Sequence, residues 1–196
     1  MAANIRGVLL AAGYSTRFGS NKLLQPLPAG SPDAGVPIAV AAARRLIAAL
    51  PDSVAVVRPR AQRLGKMLRD AGCNTVVCKN AAEGMGVSLA AGVRAAADAD
   101  GWVIALADMP FVRGETIAKI VKAMEQGAAI AAPVIGGKRG HPVGFARAFL
   151  EALSSLTDDA GAREVLKQHP DQIVLCEVDD PGVLQDIDQP SDLSAG

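Results

Sequence analysis

Aromatic residues are scarce in this chain: one Trp, one Tyr and four Phe stand among 196 residues. A core must therefore be built from Ala, Val, Leu and Ile, as in many α/β proteins, although hydrophobic residues still make up 50%. Net charge is also lacking, because 20 Lys plus Arg balance 20 Asp plus Glu. That argues against a nucleic-acid binder carried by bulk charge, and any attraction for phosphate must be local. The three cysteines, Cys73, Cys78 and Cys176, show no C-x-x-C spacing. Free thiols in a reducing cytoplasm are the expectation, most of them small core residues. No apolar run approaches a membrane span, since Arg44 and Arg45 interrupt the best candidate. The apolar stretch near the N-terminus is about five residues, short of the roughly 7–15 that a signal peptide requires. Ser-His-Asp order, zinc spacing and haem motifs are missing as well. A soluble cytoplasmic protein with no membrane partner is expected, organised as a single domain over residues 1–196.

What is present is concentrated between Leu9 and Leu24, LLAAGYSTRFGSNKLL. An apolar run meets Gly13, and a loop follows with Ser15, Thr16, Arg17, Gly19 and Lys22. A buried strand that delivers a small-residue loop with two cations suits a triphosphate. Glycine lets backbone N–H groups approach phosphate oxygens closely, and Arg17 and Lys22 neutralise the charge. Arg17 would clamp the β- and γ-phosphates bidentately. Five residues separate Gly13 from Gly19, and Lys22 comes three later. A Walker A loop has four residues between its glycines and Lys directly after the second. Tyr14-Ser15 occupies the place of the second glycine of a dinucleotide fingerprint. Neither common phosphate loop fits.

Along the chain, short apolar runs alternate with helical patterns. Strands are expected at 6–11, 53–57, 75–78, 102–107, 129–133 and 173–178, and helices at 38–50, 61–71, 86–97, 114–126, 147–153 and 161–168. Runs such as Trp102-Val103-Ile104-Ala105-Leu106-Ala107 are apolar on both faces, as in a strand covered on both sides. This alternation predicts an α/β fold: a doubly wound, mostly parallel sheet with helices on both faces. Gly136-Gly137 suggests a hairpin or excursion near the site, and the Pro26–Gly35 stretch a surface loop at its rim.

In open α/β sheets, ligands bind beyond the carboxyl ends of the strands. Gly13 and Asp108 both follow strands at that edge. A carboxylate fixed there beside a phosphate loop is a natural Mg²⁺ ligand, since Mg²⁺ takes one or two carboxylates plus phosphate oxygens. Asp108 alone would read as a helix cap, and Arg17 and Lys22 tip the balance towards metal. Asp186 and Asp188 flank Ile187, so in an extended segment both point the same way. They read either as further ligands or as an Asx-type turn before Pro190. Ser88 opens a helix where it suits an N-cap or a base edge. Lys138 and Arg139 form a basic pair that suits either an acceptor phosphate or plain surface charge.

The opening stretch resembles the pattern L-x-A-A/G-G-x-S-x-R-x-G-x-x-K of small nucleotidyltransferases, with Leu9, Ala11, Ala12, Gly13, Ser15, Arg17, Gly19 and Lys22 in register. Five further segments, NAAEGMGVSLAAG (80–92), ADMP (107–110), GHPVGF (140–145), DAGAREVL (159–166) and DIDQPSDL (186–193), are similar in order to the molybdenum-cofactor cytidylyltransferase branch of the MobA-like NTP transferases. Phe18 and Gln189-Pro190-Ser191 depart from the usual residues without changing a charged group. The resemblance implies a Rossmann-like nucleotidyltransferase fold and Mg²⁺-dependent transfer of a nucleoside monophosphate, most readily CMP from CTP, to a phosphorylated acceptor such as molybdopterin. Pyrophosphate would be released, and a molybdoenzyme is a possible partner.

It further implies Ala11, Ala12, Gly13, Ser15, Arg17, Gly19, Lys22, Asn80, Gly86 and Ser88 at the nucleotide. Arg17, Lys22 and Asp108 take catalytic roles, and Asp188 is favoured over Asp186 beside Asp108 at the metal. Lys138, Arg139, His141, Asp159 and Arg163 fall at the acceptor. Ala at position 12, where guanylyl enzymes more often have Gly, favours CTP. Guanylyl transfer to the same cofactor, nucleotidyl transfer to another small phosphate, and a non-catalytic accessory role are the alternatives.

Overall fold

A computed structural model describes residues 3–14, 18, 21–157, 159 and 161–193. Its centre is a mixed sheet of eight strands. Four strands come from the apolar runs of the first half: β1 (Ile5–Ala11), β2 (Val54–Val57), β3 (Asn74–Val77) and β4 (Gly101–Leu106). They lie parallel in the order β3-β2-β1-β4. The second half supplies β5 (Ile130–Ile135), β6 (Lys138–Arg139), β7 (Val143–Ala146) and β8 (Ile173–Glu177). The Gly136-Gly137 turn makes β5 and β6 an antiparallel hairpin. Strand β7 then runs antiparallel to both β4 and β5, and β8 is parallel to β5. The link from β5 to β7 is too short for the crossover that a parallel neighbour requires, so the chain returns antiparallel.

Among the described residues six helices cover the sheet: α1 (Ile38–Ala49), α2 (Gln62–Asp70), α3 (Met85–Ala95), α4 (Gly114–Glu125), α5 (Leu150–Ser154) and α6 (Arg163–Gln168). Strand periodicity distributes β1 between two cores. Leu9 and Ala11 pack with Leu46, Leu64, Leu68 and Ile120 of α1, α2 and α4 on one face. Val8 and Leu10 pack with Leu89, Val93, Leu153 and Val165 of α3, α5 and α6 on the other. With so few aromatics, close approach substitutes for bulk. A Cβ on Gly92 of α3 would collide with Val8 and stand 2.8 Å from Val56 Cγ2, so glycine lets α3 settle onto β1 and β2. The single Trp, Trp102, is fully buried, and its indole N–H donates to the Ala96 carbonyl at 2.9 Å. Among the described residues no helix is long and apolar enough to cross a membrane.

After β8 the chain crosses back over the carboxyl ends of the strands. Val183 accepts a hydrogen bond from the His141 N–H at 3.0 Å, and the Ile187 N–H donates to the Asp108 carbonyl at 2.9 Å. Buried Asp180 anchors this strap. Its carboxylate accepts from the Thr116 hydroxyl at 2.6 Å, the Arg113 N–H at 2.8 Å and the Gly182 N–H at 3.0 Å. Asp180→Ala would leave buried donors without a partner, so a loss of about 3 kcal/mol in unfolding free energy is expected from urea titration. An unchanged midpoint would remove the anchoring role.

Candidate active site

Lys22 opens a short 3-10 turn, Lys22–Leu24, at the end of the loop after β1. Its ammonium donates to Asp108 Oδ2 at 2.8 Å and to Asp188 Oδ1 at 3.0 Å. The three groups come from the first strand's loop, the end of β4 and the C-terminal strap. Burial works against the Lys22 charge, but the Asp108 and Asp188 carboxylates outweigh it and raise its pKa above the ordinary 10.5. A raised folded-state value means a stabilising contribution that is fully present below 10.5 and lost only as pH climbs through the higher value. The ammonium is therefore charged throughout the neutral range. Asp192 steadies this corner, accepting from the Asp188 and Gln189 backbone N–H groups at 2.8 Å each. Those bonds from Gln189 and Asp188 hold its carboxyl below the usual range.

Asp108 does not cap the next helix. Arg113 occupies that place for α4 and makes no side-chain cap. Two carboxylates that converge on one ammonium have the charge and spacing to hold a divalent cation in concert with phosphate oxygens. Among the described residues no group of three or more His, Cys, Asp or Glu is arranged to do so alone. Asp186 is exposed beyond buried Ile187 and lines neither cavity described below.

Two cavities meet at the carboxyl edge. The first, of about 250 Å³, is bordered by Ala12, Gly13, Tyr14, Lys22, Ser88 and Asp108. Among the described residues nothing lies within 4 Å of the position a Gly13 Cβ would take. The second, of about 510 Å³, has Arg139, His141, Asp159 and Arg163 over an apolar floor that includes Ile104, Val143 and Phe145. Leu10, Met85, Leu106 and Asp159 line both, so the cavities adjoin. Leu10 and Leu106 are register partners on β1 and β4 and form the shared floor.

The structure thus brings together Ala12, Gly13, Lys22, Ser88 and Asp108 at the first cavity and Arg139, His141, Asp159 and Arg163 at the second. Ala11 is buried in the core at the end of β1. Lys138 departs from the expectation of a basic pair at one site. Adjacent strand residues face opposite ways, and only Arg139 borders the cavity. Asn80 is exposed and Gly86 is buried in the first turn of α3, and neither lines either of these two cavities. Ser88 is not an N-cap; it lies within α3, with its hydroxyl 3.5 Å from the Gly84 carbonyl. Ser15, Thr16, Arg17 and Gly19 lie outside the described residues. The Pro26–Gly35 stretch borders neither cavity; Arg45 pins it through Asp33 at 2.6 Å, and it faces Phe111 and Leu193 instead.

Asp159 carries a second duty, because its carboxylate accepts the Met85 N–H at the start of α3 at 3.1 Å. His141 has a buried Nδ1 with no hydrogen-bond partner among the described residues. Burial lowers its pKa, opposed by Asp108 and Asp186 and assisted by Arg139. Sequence reading missed Tyr14, Met85, Leu10, Leu106 and Asp192. Tyr14 was the one with a signal, a solitary aromatic directly after the loop glycine.

Residues 7–173 match the model of the MobA-like NTP transferase domain family. This chain belongs to that family. The purine catabolism protein PucB of Bacillus subtilis (strain 168) is 32% identical to this MobA-like chain over 95% of the chain and 92% of PucB. The crystal structure of Rv0371c from Mycobacterium tuberculosis H37Rv superposes with a TM-score of 0.80 at 25% identity, covering 99% of this chain and 97% of that one. A nucleotidyl transferase from Methanothermobacter thermautotroptrophicus also gives 0.80, at 24% identity over 96% and 93%. The MobA-like NTP transferase assignment makes the protein a nucleotidyltransferase on a Rossmann-like fold, whose doubly wound, mostly parallel sheet the β/α alternation predicted.

Proposed function

We propose that this nucleotidyltransferase moves CMP from CTP to the phosphate of a small acceptor such as molybdopterin. The observation that carries the reading is the Lys22 ammonium held between Asp108 and Asp188 at 2.8 and 3.0 Å, beside a cavity that opens into a second one. A non-catalytic accessory protein has no need of two acidic groups and a lysine gathered beside the first cavity.

In this reading an acceptor phosphate oxygen attacks the α-phosphorus of the NTP. One P–O bond forms, the bond between the α-phosphorus and the bridging oxygen breaks, and pyrophosphate leaves with the electron pair. No nucleophilic side chain is needed. Asp108 and Asp188 would hold Mg²⁺, which supplies charge neutralisation on the phosphates. Lys22 exchanges its carboxylate partners for phosphate oxygens and compensates the charge that grows on the leaving group. Arg139 and Arg163, with His141, receive the acceptor, and the apolar floor takes its ring system. Catalysis is then positioning plus charge compensation.

The test is a panel of NTPs with reduced molybdopterin and Mg²⁺, followed by pyrophosphate release. Turnover with CTP and acceptor supports the reading, and no pyrophosphate with any NTP rejects it. The base preference rests on Ala12, which is buried and borders the first cavity. Its methyl leaves less room for a purine. Ala12→Gly is expected to narrow the CTP-over-GTP ratio of kcat/KM by about tenfold, because one methyl is worth about 1–3 kcal/mol of discrimination. A wild-type protein that prefers GTP would reassign the base and leave nucleotidyl transfer standing.

A further inference from the structure

Tyr14 is the one tyrosine of a chain with few aromatics, and it stands 49% exposed at the wall of the first cavity. It is not left to drift. Arg58 follows directly on β2, whose last residue Val57 is the register partner of Ala11. That register sets Arg58 beside the loop that leaves β1. Its guanidinium carbon lies 4.8 Å from the Tyr14 ring centroid, and its Nη1 donates to the Gly13 carbonyl at 3.2 Å. One side chain thus covers one face of the ring and fixes the peptide that carries it. The ring borders the cavity, whose lining joins small and aliphatic Ala81, Ala82, Gly84 and Met85 to polar Lys22, Ser88, Asp108 and Asp159. Arg58 is part-buried, and its guanidinium reaches both the Tyr14 ring and the Gly13 carbonyl.

We propose that Tyr14 is the platform on which the nucleobase stacks, and that Arg58 is a positioning residue that holds the platform from behind. The proposal rests on the nucleotidyltransferase reading and deepens it. An aromatic ring backed by a cation offers its free face to any base, because every base has a π-face. Affinity then comes from Tyr14, and the choice between pyrimidine and purine remains with the space at Ala12. The triphosphate, held by Lys22, has no π-face and gains nothing from the ring.

That division gives the test. Incorporation of 3-fluorotyrosine places one ¹⁹F resonance in the protein, since the sequence has a single tyrosine. CTP with Mg²⁺ should shift it by ring current, and inorganic tripolyphosphate with Mg²⁺ should not. By calorimetry Tyr14→Ala should bind CTP and GTP about tenfold more weakly and tripolyphosphate as the native protein does. Tyr14→Phe should restore CTP affinity, because the ring acts rather than the hydroxyl. Arg58→Ala should weaken CTP severalfold in the native background and add nothing to Tyr14→Ala. Native CTP affinity in Tyr14→Ala overturns the proposal, as does equal weakening of CTP and tripolyphosphate, which would mean a phosphate or folding role. A native protein that binds tripolyphosphate and no NTP overturns the nucleotidyltransferase reading itself.

Discussion

Asp108→Asn is expected to fold normally and to lose about a thousandfold in turnover with NTP, acceptor and Mg²⁺. The substitution keeps the shape of the side chain and removes one negative charge where β4 ends. In the free protein the Lys22 ammonium retains Asp188, at 3.0 Å, so the pair is reduced rather than orphaned. Thermal unfolding should therefore move little. A dication organising the phosphates would lose one of the two carboxylates that converge there, and an amide oxygen is a much weaker ligand for a hard dication. Excess Mg²⁺ should recover part of the rate, because the defect lies in holding the ion. Native turnover in Asp108→Asn under the same conditions would reject the metal role of this residue.

Lys22→Ala is the second large effect. Its turnover should fall by about a hundred- to a thousandfold, while NTP affinity falls far less. The reason is timing. In the free protein the ammonium is satisfied by Asp108 at 2.8 Å and Asp188 at 3.0 Å. Substrate phosphates must draw it from those partners, so little net binding energy is released on association. The charge matters most when negative charge builds on the departing pyrophosphate. Steady-state kinetics separates the possibilities: a rise in KM with kcat intact would show that Lys22 provides uniform binding only. Lys22→Arg should rescue poorly, since a planar guanidinium does not replace a compact ammonium held between two carboxylates.

Much of the scaffold was legible from the chain. The apolar runs of β1, β2 and β4 lack the polar alternation of a half-exposed strand, and that already requires cover on both faces. Leu9 and Leu10 pointing to opposite cores is the period-two rule at work. Gly72, just past α2, has a φ of 106°, the left-handed conformation that a glycine after a helix end suits. The antiparallel β7 was hidden inside the excursion after Gly136-Gly137. Four residues of apolar sequence fit either direction, and only the length of the connection decides.

The sequence by itself determined most of the elements, their faces, and the two chain positions, after Gly13 and at Asp108, where a strand hands its end to a loop. Those properties are local, because hydrophobic periodicity and turn chemistry act over a few residues. The tertiary structure alone decided which ends meet. Lys22 finds Asp108 at a separation of 86 residues and Asp188 at 166, since the strap after β8 crosses back to the end of β4. Lys138 and Arg139 part company once they lie in a strand, and Asp159 turns out to serve the start of α3. Arg58 meets Tyr14 because β2 happens to be the parallel neighbour of β1. Strand order is set by the global packing of both sheet faces, and no window of sequence carries it.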